Sequence, residues 1–438
     1  MTSFEHYMFV DDRDNYPMSF IVQLELSGEI DRAAFEEAIF QSLERHPLLQ
    51  ATIGPAKQGK DCWLEAKNKT PVIDWGGLNE PIEFPNGERI NLRKEIGLRI
   101  FIRHDEHQAI VTTQFHHSTC DGIGSYQFLG DVLFEYAIRT GASHLEPPAE
   151  LEPKKLRGRG KLSYDMNNFR LPNGKYQRTW DEALTLLART NVVLRAPDRK
   201  AAGFRCPFPG IQSYTFDKQQ FKTLRLAAQE QGQVVNDLLV EKLFQTLHDW
   251  HENLPGVPWR RHVAIMMPMN LREADDDELS ACNVVAHAFM RKKRSELDDI
   301  TTFRKRLSHE LLQLKHHRKE IRFMHMLAGG HYFYPRILKM SLDLKRNLAT
   351  AILSNTGDPT KQFYAQLPRE AGVVCCGNLK LEDVSGVPPI RPGTSTTVSI
   401  FTYRRELKIC LRCDPNKFSE ADARQLLDLY VQNIQQVI

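Results

Sequence analysis

The segment QFHHSTCDG, residues 114–122, decides how the rest of this chain is interpreted. Apolar residues alternate over positions 109–115, which predicts a β-strand, and a helical apolar stripe follows over positions 128–136. Adjacent side chains on a strand point to opposite faces, so only one of His116 and His117 can reach a given cavity. The other is expected to be buried in the sheet or hydrogen-bonded behind it.

The end of this segment predicts a turn between the strand and the helix. Asp121 can accept hydrogen bonds from backbone amides, and Gly122 can adopt a positive φ. A pair of histidines by itself is more often a surface or core feature than a catalytic one. The functional interpretation therefore depends on the context of the whole segment.

Strand and helix patterns alternate on both sides of the segment. The pattern predicts strands at 20–26, 98–102, 109–115, 263–272 and 282–290, and helices at 35–43, 128–136, 303–314 and 419–434, the last opened by a capping box of Ser419 and Asp422. The alternation of strands and helices is interrupted by several prolines, by the basic stretch KKLRGRGK and by the turn Pro172-Asn173-Gly174. The fold class is therefore α/β, with an N-terminal lobe at 1–150, a connector at 151–210 and a C-terminal lobe at 211–438.

Composition sets the class of protein. The chain has 438 residues, of which 41% are hydrophobic and 26% charged, and its net charge is only +3. These values are typical of a globular protein and give no global field that would attract nucleic acid or anionic lipid. No apolar run is long enough for a membrane span, and the N-terminus lacks the apolar stretch of a signal peptide. We therefore expect a cytoplasmic protein that binds neither nucleic acid nor membrane.

The chain has eight cysteines, and Cys410 and Cys413 have the C-x-x-C spacing of zinc and redox sites. The residues around them alternate like a strand, which places two residues three apart on opposite faces. The sequence therefore predicts reduced thiols and no metal site.

Five segments along the chain match, in the same order, segments of a known protein superfamily. They are LERHPLLQATIG ending at Gly54, HHSTCDG at His116–Gly122, VVNDLLVEKLFQTL from Val234, MPMNLRE at Met267–Glu273 and LSNTG at Leu353–Gly357. Together with the tail from Pro388 they resemble the chloramphenicol acetyltransferase-like superfamily, whose HHxxxDG motif the second segment matches. This superfamily includes the condensation domains of nonribosomal peptide synthetases, plant BAHD-type acyltransferases, and bacterial wax-ester and polyketide-associated acyltransferases. The DFGWG motif of the plant branch is missing, and no carrier or adenylation module flanks the lobes, which predicts a free-standing member.

The resemblance implies a V-shaped pseudo-dimer of two lobes with a tunnel between them, which donor and acceptor enter from opposite ends. His117 would be the general base on the acceptor, since an imidazole with a pKa near 6.5 can take a proton near neutral pH. His116 would be a buried supporting residue. Asp121 would pair with Arg272 and align the His117 loop without relaying a proton. The resemblance thus implies acyl transfer from a thioester to a hydroxyl or amine, in a monomer.

The tetrahedral intermediate of such a reaction needs an oxyanion donor. Ser354 is the candidate, with Asn355 as a supporting group, and a turn-forming Ser-Asn-Thr-Gly loop is the alternative. Cys120, inside the motif, is expected to pack in the turn and not to act as a nucleophile.

The donor and partner are left open. The co-substrate is a thioester of coenzyme A or of phosphopantetheine on an acyl carrier protein, with no permanently bound cofactor. Basic clusters at 291–294 and 315–319 could contact its phosphates, although a solvated helix face is the simpler interpretation. Two alternatives stand beside coenzyme A-dependent O-acylation. One is a stand-alone condensation-type enzyme that forms amides on carrier-bound substrates, and the other is a catalytically silent scaffold that binds an acylated carrier.

Overall fold

The computed structural model describes residues 1–56, 60–66, 68–159, 191–197, 207–252, 262–317, 323–324, 327–328 and 347–438. Most of the predicted connector 151–210 and the end of the basic cluster 315–319 therefore lie outside the described residues. The helices are α1 (Ser3–Asp11), α2 (Arg32–Glu44), α3 (Gly122–Arg139), α4 (Lys218–Glu230), α5 (Val235–Glu252), α6 (Ile300–His317), α7 (Thr360–Phe363) and α8 (Glu420–Gln435).

The strands form two large sheets and one small hairpin. They are β1 (Ser19–Ser27), β2 (Ala51–Pro55), β3 (Asp61–Glu65), β4 (Val72–Gly77), β5 (Leu98–His104), β6 (Gln108–His116), β7 (Gln212–Phe216), β8 (His262–Asn270), β9 (Val285–Lys293), β10 (Ala351–Gly357), β11 (Arg369–Glu370), β12 (Val373–Cys376), β13 (Leu379–Val387), β14 (Thr396–Tyr403) and β15 (Glu406–Cys413). The first sheet has the order β11-β12-β13-β1-β6-β5-β4 and the second has the order β7-β15-β14-β10-β8-β9.

The first sheet places the HHSTCDG segment at its centre. Strand β1 buries the alternating Phe20, Val22, Leu24 and Leu26, whereas Gln23 is half-buried and Glu25 is exposed. It pairs antiparallel with β6, and Ser19 lies opposite His116. Helices α2 and α3 pack on this sheet, and the apolar stripe of each helix enters the same core.

A late part of the chain completes the first sheet. Strand β13 pairs antiparallel with β1, and β12 and β11 follow it to the edge. The predicted C-terminal range 211–438 therefore contains strands of both sheets. The sequence patterns did not indicate this exchange, because a strand's periodicity does not identify its partner.

The second sheet repeats the layered arrangement with its own core, to which residues of helices α4, α5, α6 and α8 contribute. The capping box predicted at the start of the last helix is confirmed, since Ser419 and Asp422 bond to each other's backbone. The opposite orientation of the two cysteines on β15 is also confirmed: Cys410 lies in the first core and Cys413 in the second. None of the helices in the described ranges is long and apolar enough to cross a bilayer.

Candidate active site

A cavity of about 320 Å³ lies where the end of β6 and the start of α3 meet strands of the second sheet. Six of the seven predicted site residues line it: His117, Asp121, Gly122, Arg272, Ser354 and Asn355. Its remaining wall is largely apolar and comes from β1, α3, β8, β9, β14, the end of β13 and the residue that follows it. The structure therefore brings together residues that are more than 200 positions apart in the chain.

His117 is held by its backbone and packed by aromatic rings. Its N–H donates to the Met18 carbonyl at 2.8 Å, and its carbonyl accepts from Asn283 Nδ2 at 2.9 Å. The ring centroid lies 5.1 Å from that of Phe20 and 6.4 Å from that of Phe4. Burial lowers the pKa of His117, while its own backbone and Asp121 act in the opposite direction. Burial thus favours the neutral form of the imidazole on the cavity wall.

His116 points away from the cavity into the sheet and is fully buried. The Ser118 N–H donates to His116 Nδ1 at 3.1 Å, so Nδ1 carries a lone pair and the proton resides on Nε2. Nε2 lies 3.5 Å from Oδ2 of the buried Asp12. The two histidines of the motif thus face different environments, as the alternation of a strand requires.

Asp121 accepts hydrogen bonds from four donors. Its Oδ1 accepts from the Gly124 N–H at 2.9 Å and from Arg272 Nη2 at 3.0 Å. Its Oδ2 accepts from Arg272 Nη1 at 2.9 Å and from the Val284 N–H at 2.8 Å. The contact predicted between Asp121 and Arg272 is present as a bidentate ion pair. These four hydrogen bonds fix the orientation of the carboxylate between the start of α3 and the second lobe.

The segment that follows the second lobe's β8 binds the motif loop directly. Arg272 Nη2 donates to the Cys282 carbonyl at 3.0 Å, which in turn accepts from the Asp121 N–H at 3.3 Å. Asn283 Nδ2 donates to the carbonyls of both His117 and Ser118. Sequence reasoning missed Asn283 and Asp12, because no local pattern marks either as a partner of the motif.

The first turn of α3 differs from the turn that the sequence predicts between the strand and the helix. The expected positive φ at Gly122 is wrong, since this residue begins α3 directly after the N-cap Asp121. A Cβ at Gly122 would meet only the Tyr126 ring, at 3.9 Å. A Cβ at Gly124 would lie 3.0 Å from the Cys282 nitrogen and 3.1 Å from the Cys120 Cβ. A side chain at position 124 would therefore push α3 and the second lobe apart by a few tenths of an ångström.

We expect Gly124→Val to lower the free energy of unfolding by about 1–3 kcal/mol more than Gly122→Val. Both variants add the same β-branched side chain to the first turn of α3, so their intrinsic helix costs match. Only the first forces α3 away from Cys282. Urea unfolding of the two variants measures the difference, and equal losses would contradict the close approach.

Ser354 lies on β10, opposite Ser399 of β14, and its side chain lines the cavity. It is therefore part of a strand and not of a turn. The Asn355 amide is already engaged: Nδ2 donates to Asn236 Oδ1 at 3.0 Å, and Oδ1 accepts from the Gly357 N–H at 3.1 Å. The arrangement leaves Ser354 as the candidate donor to an oxyanion, with Asn355 fixing the strand end beside it.

Cys120 is fully buried in the core of the first lobe. Burial raises the pKa of its thiol well above the usual range, so the reactive thiolate is suppressed. This environment is consistent with the packing role expected for Cys120.

The basic cluster 291–294 does not lie on the face of an α-helix, and two of its four cations are paired with carboxylates. It covers the end of β9 and the residue after it, so the expected helical setting is wrong. Lys292 pairs with Glu310, and Arg294 pairs with Glu252, with both cationic side chains largely buried. These charges are neutralised by acidic residues of α6 and α5.

Comparisons with known proteins identify the fold. No protein-family model and no curated protein matches the sequence. The first condensation domain of the calcium-dependent antibiotic synthetase, solved in complex with a substrate analogue, aligns with a TM-score of 0.67 and 14% identity over 100% of this chain and 95% of that one. Trichothecene 15-O-acetyltransferase from Fusarium sporotrichioides aligns with a TM-score of 0.67 and 11% identity over 100% of this chain and 94% of that one.

A third solved structure extends the comparison to a complex. The starter condensation domain of rhizomide synthetase, a mutant in complex with C8-CoA and Leu-SNAC, aligns with a TM-score of 0.60 and 12% identity. The alignment covers 100% of this chain and 93% of that one. The chain therefore has the two-lobed α/β fold of condensation domains and chloramphenicol acetyltransferase-like acyltransferases, which confirms the fold predicted from the HHxxxDG segment.

Proposed function

We propose that the protein is an acyltransferase that moves an acyl group directly from a thioester to a hydroxyl or amine. One observation carries the proposal. Among the described residues that line the cavity, His117 carries the only imidazole. Burial lowers the pKa of this side chain. The neighbouring carboxylate of Asp121 is engaged by four donors of the protein, which gives it a supporting role in the loop that carries His117.

The reaction follows from these positions. The imidazole of His117 takes the proton from the acceptor hydroxyl or amine, and the nucleophile attacks the thioester carbonyl. Ser354 donates a hydrogen bond to the oxygen that becomes negative in the tetrahedral intermediate. When the carbon–sulfur bond breaks, the proton passes from His117 to the departing thiolate. No step uses a metal or a covalent acyl-enzyme.

The named structural neighbours support this chemistry without identifying the substrates. One of them is an acetyltransferase that acts on oxygen, and another was solved with C8-CoA. We therefore propose coenzyme A or a phosphopantetheine carrier as the donor's thiol. Because condensation domains are also neighbours, amide formation on carrier-bound substrates is the second candidate, and a silent carrier-binding scaffold is the third. We further propose a monomer that works in the cytoplasm.

The direct-transfer mechanism is expected to give sequential kinetics with any thioester that turns over. Acyl-coenzyme A thioesters of increasing chain length are supplied with alcohol or amine acceptors, and free thiol release is recorded together with the product mass. Intact-mass spectrometry of the enzyme with donor alone should show no stable adduct, and Cys120→Ala should remain active. An acyl adduct on Cys120 or ping-pong kinetics would contradict direct transfer. Binding of an acylated carrier without thiol release would favour the scaffold.

A further inference from the structure

Helix α1 brings an aromatic ring against the proposed base. Phe4 is buried, and its ring centroid lies 6.4 Å from that of His117 at an interplanar angle of 80°. The same ring lies 5.0 Å from the ring of His287 on β9, at 79°. Phe4 therefore contacts two imidazoles, one from the motif loop and one from the second sheet.

The first turn of α1 is bound to the motif loop. Thr2 and Glu5 form a capping box, and Ser118 Oγ donates to the Glu5 carbonyl at 3.0 Å. The buried Glu5 carboxylate pairs with Arg159 at 2.7 Å and accepts from Trp63 Nε1 at 2.9 Å. The position of Phe4 relative to His117 is thus set by several independent contacts.

The other end of α1 is tied to the second half of the chain. Asp11 forms a buried ion pair with Arg391, whose guanidinium lies 5.4 Å from the centroid of the Tyr7 ring. Helix α1 is consequently held at both ends, and a side chain on its inner face has little freedom to leave the site.

We propose that Phe4 is a positioning residue for His117, because its buried ring packs edge-on against the imidazole and excludes water from that side. The proposal rests on the proposed function, in which His117 must be unprotonated to act. The titratable groups that act on His117 are His116 from its own loop, Asp121 at the N-cap of α3 and His287 from β9. Phe4 carries no charge, so its effect comes from excluding water, which disfavours the protonated imidazole.

We expect Phe4→Ala to raise the pKa of His117 by about 0.5–1 unit, a fraction of the ~3–5 units that full burial can produce. Nuclear magnetic resonance of the full chain labelled at histidine rings measures this pKa, with His117→Gln identifying the signal. In the pH profile of kcat/KM, the acidic limb should move to higher pH by the same amount, and the plateau at alkaline pH should keep its wild-type height. A purely structural role would instead lower the rate at every pH.

Two variants sharpen the test. Phe9→Ala makes the same change on the same helix, but Phe9 packs against Arg93, with the guanidinium 5.1 Å from its ring centroid, so no shift of the His117 pKa is expected. Phe4→Leu keeps an apolar side chain over the imidazole, so the pKa of His117 should stay close to the wild-type value. This variant can still be measured if Phe4→Ala does not fold.

The outcomes separate this inference from the proposed function. An unchanged His117 pKa in folded Phe4→Ala, or a full shift in Phe4→Leu, would overturn the role of Phe4. A His117→Ala enzyme with full activity would instead overturn the proposed function, and the resonance titration would still decide whether Phe4 shields the imidazole.

Discussion

Replacement of His117 by alanine is expected to lower kcat by about 10²–10⁴-fold, the range that a general base contributes. The reason is positional: His117 lines the cavity, whereas His116 faces the interior of the sheet. The change removes a side chain from a cavity wall and leaves the backbone bonds of the loop in place, so the fold should survive. Steady-state rates at saturating donor and acceptor, together with thermal unfolding, measure both effects.

Two matched histidine variants control this experiment. His107→Ala changes an exposed residue in the turn between β5 and β6 and should leave both activity and stability unchanged. His116→Ala removes a buried ring that accepts from the Ser118 N–H, so it should act mainly through stability. Full activity in His117→Ala would exclude this residue as the base and leave only the fold established.

Breaking the ion pair between Asp121 and Arg272 is expected to cost about 3–5 kcal/mol of unfolding free energy, because either single change leaves a buried charge without its partner. Asp121→Ala should cost at least as much as Arg272→Ala, since the carboxylate also caps α3 and accepts from the Val284 N–H. Activity should fall in parallel, because the same contacts hold the loop that carries His117.

A double-mutant cycle in urea tests the pair. The double alanine variant should lose less than the sum of the two single variants, and simply additive losses would rule out the interaction. The exposed pair of Arg424 and Asp428 on α8 is the control. Its coupling energy in the same cycle should be no more than about 0.5 kcal/mol, as is usual for a solvated pair one helical turn apart.

Local periodicity was sufficient for most of the elements that build the site. The strand that ends at His116 and the helix that begins at Gly122 could be predicted because their apolar residues recur with periods of about two and 3.6 residues in the sequence. The opposite directions of the two histidines followed from the strand geometry alone. The contact between Asp121 and Arg272, by contrast, came from the family resemblance, since it joins residues 151 positions apart.

The missed features share one cause. Asn283, Asp12 and Phe4 act on the motif loop only because packing places distant segments against it. The basic cluster around Lys292 was misread for the same reason, since its acidic partner on α6 is not visible in the local pattern. A one-dimensional pattern reports which face of an element is buried, but not what is buried against it.

The pairing of β1 with β13 has a consequence for how the protein is made. While the chain is being synthesised, β1 can pair with β6 as soon as residue 116 has left the ribosome, but its other edge must wait until residue 387 has emerged. A nascent chain that has reached only the first 210 residues carries an unpaired apolar edge strand, the kind of surface that recruits other chains into aggregates. Because closing that edge requires contacts across more than 350 positions of sequence, the first sheet can be completed only late in synthesis.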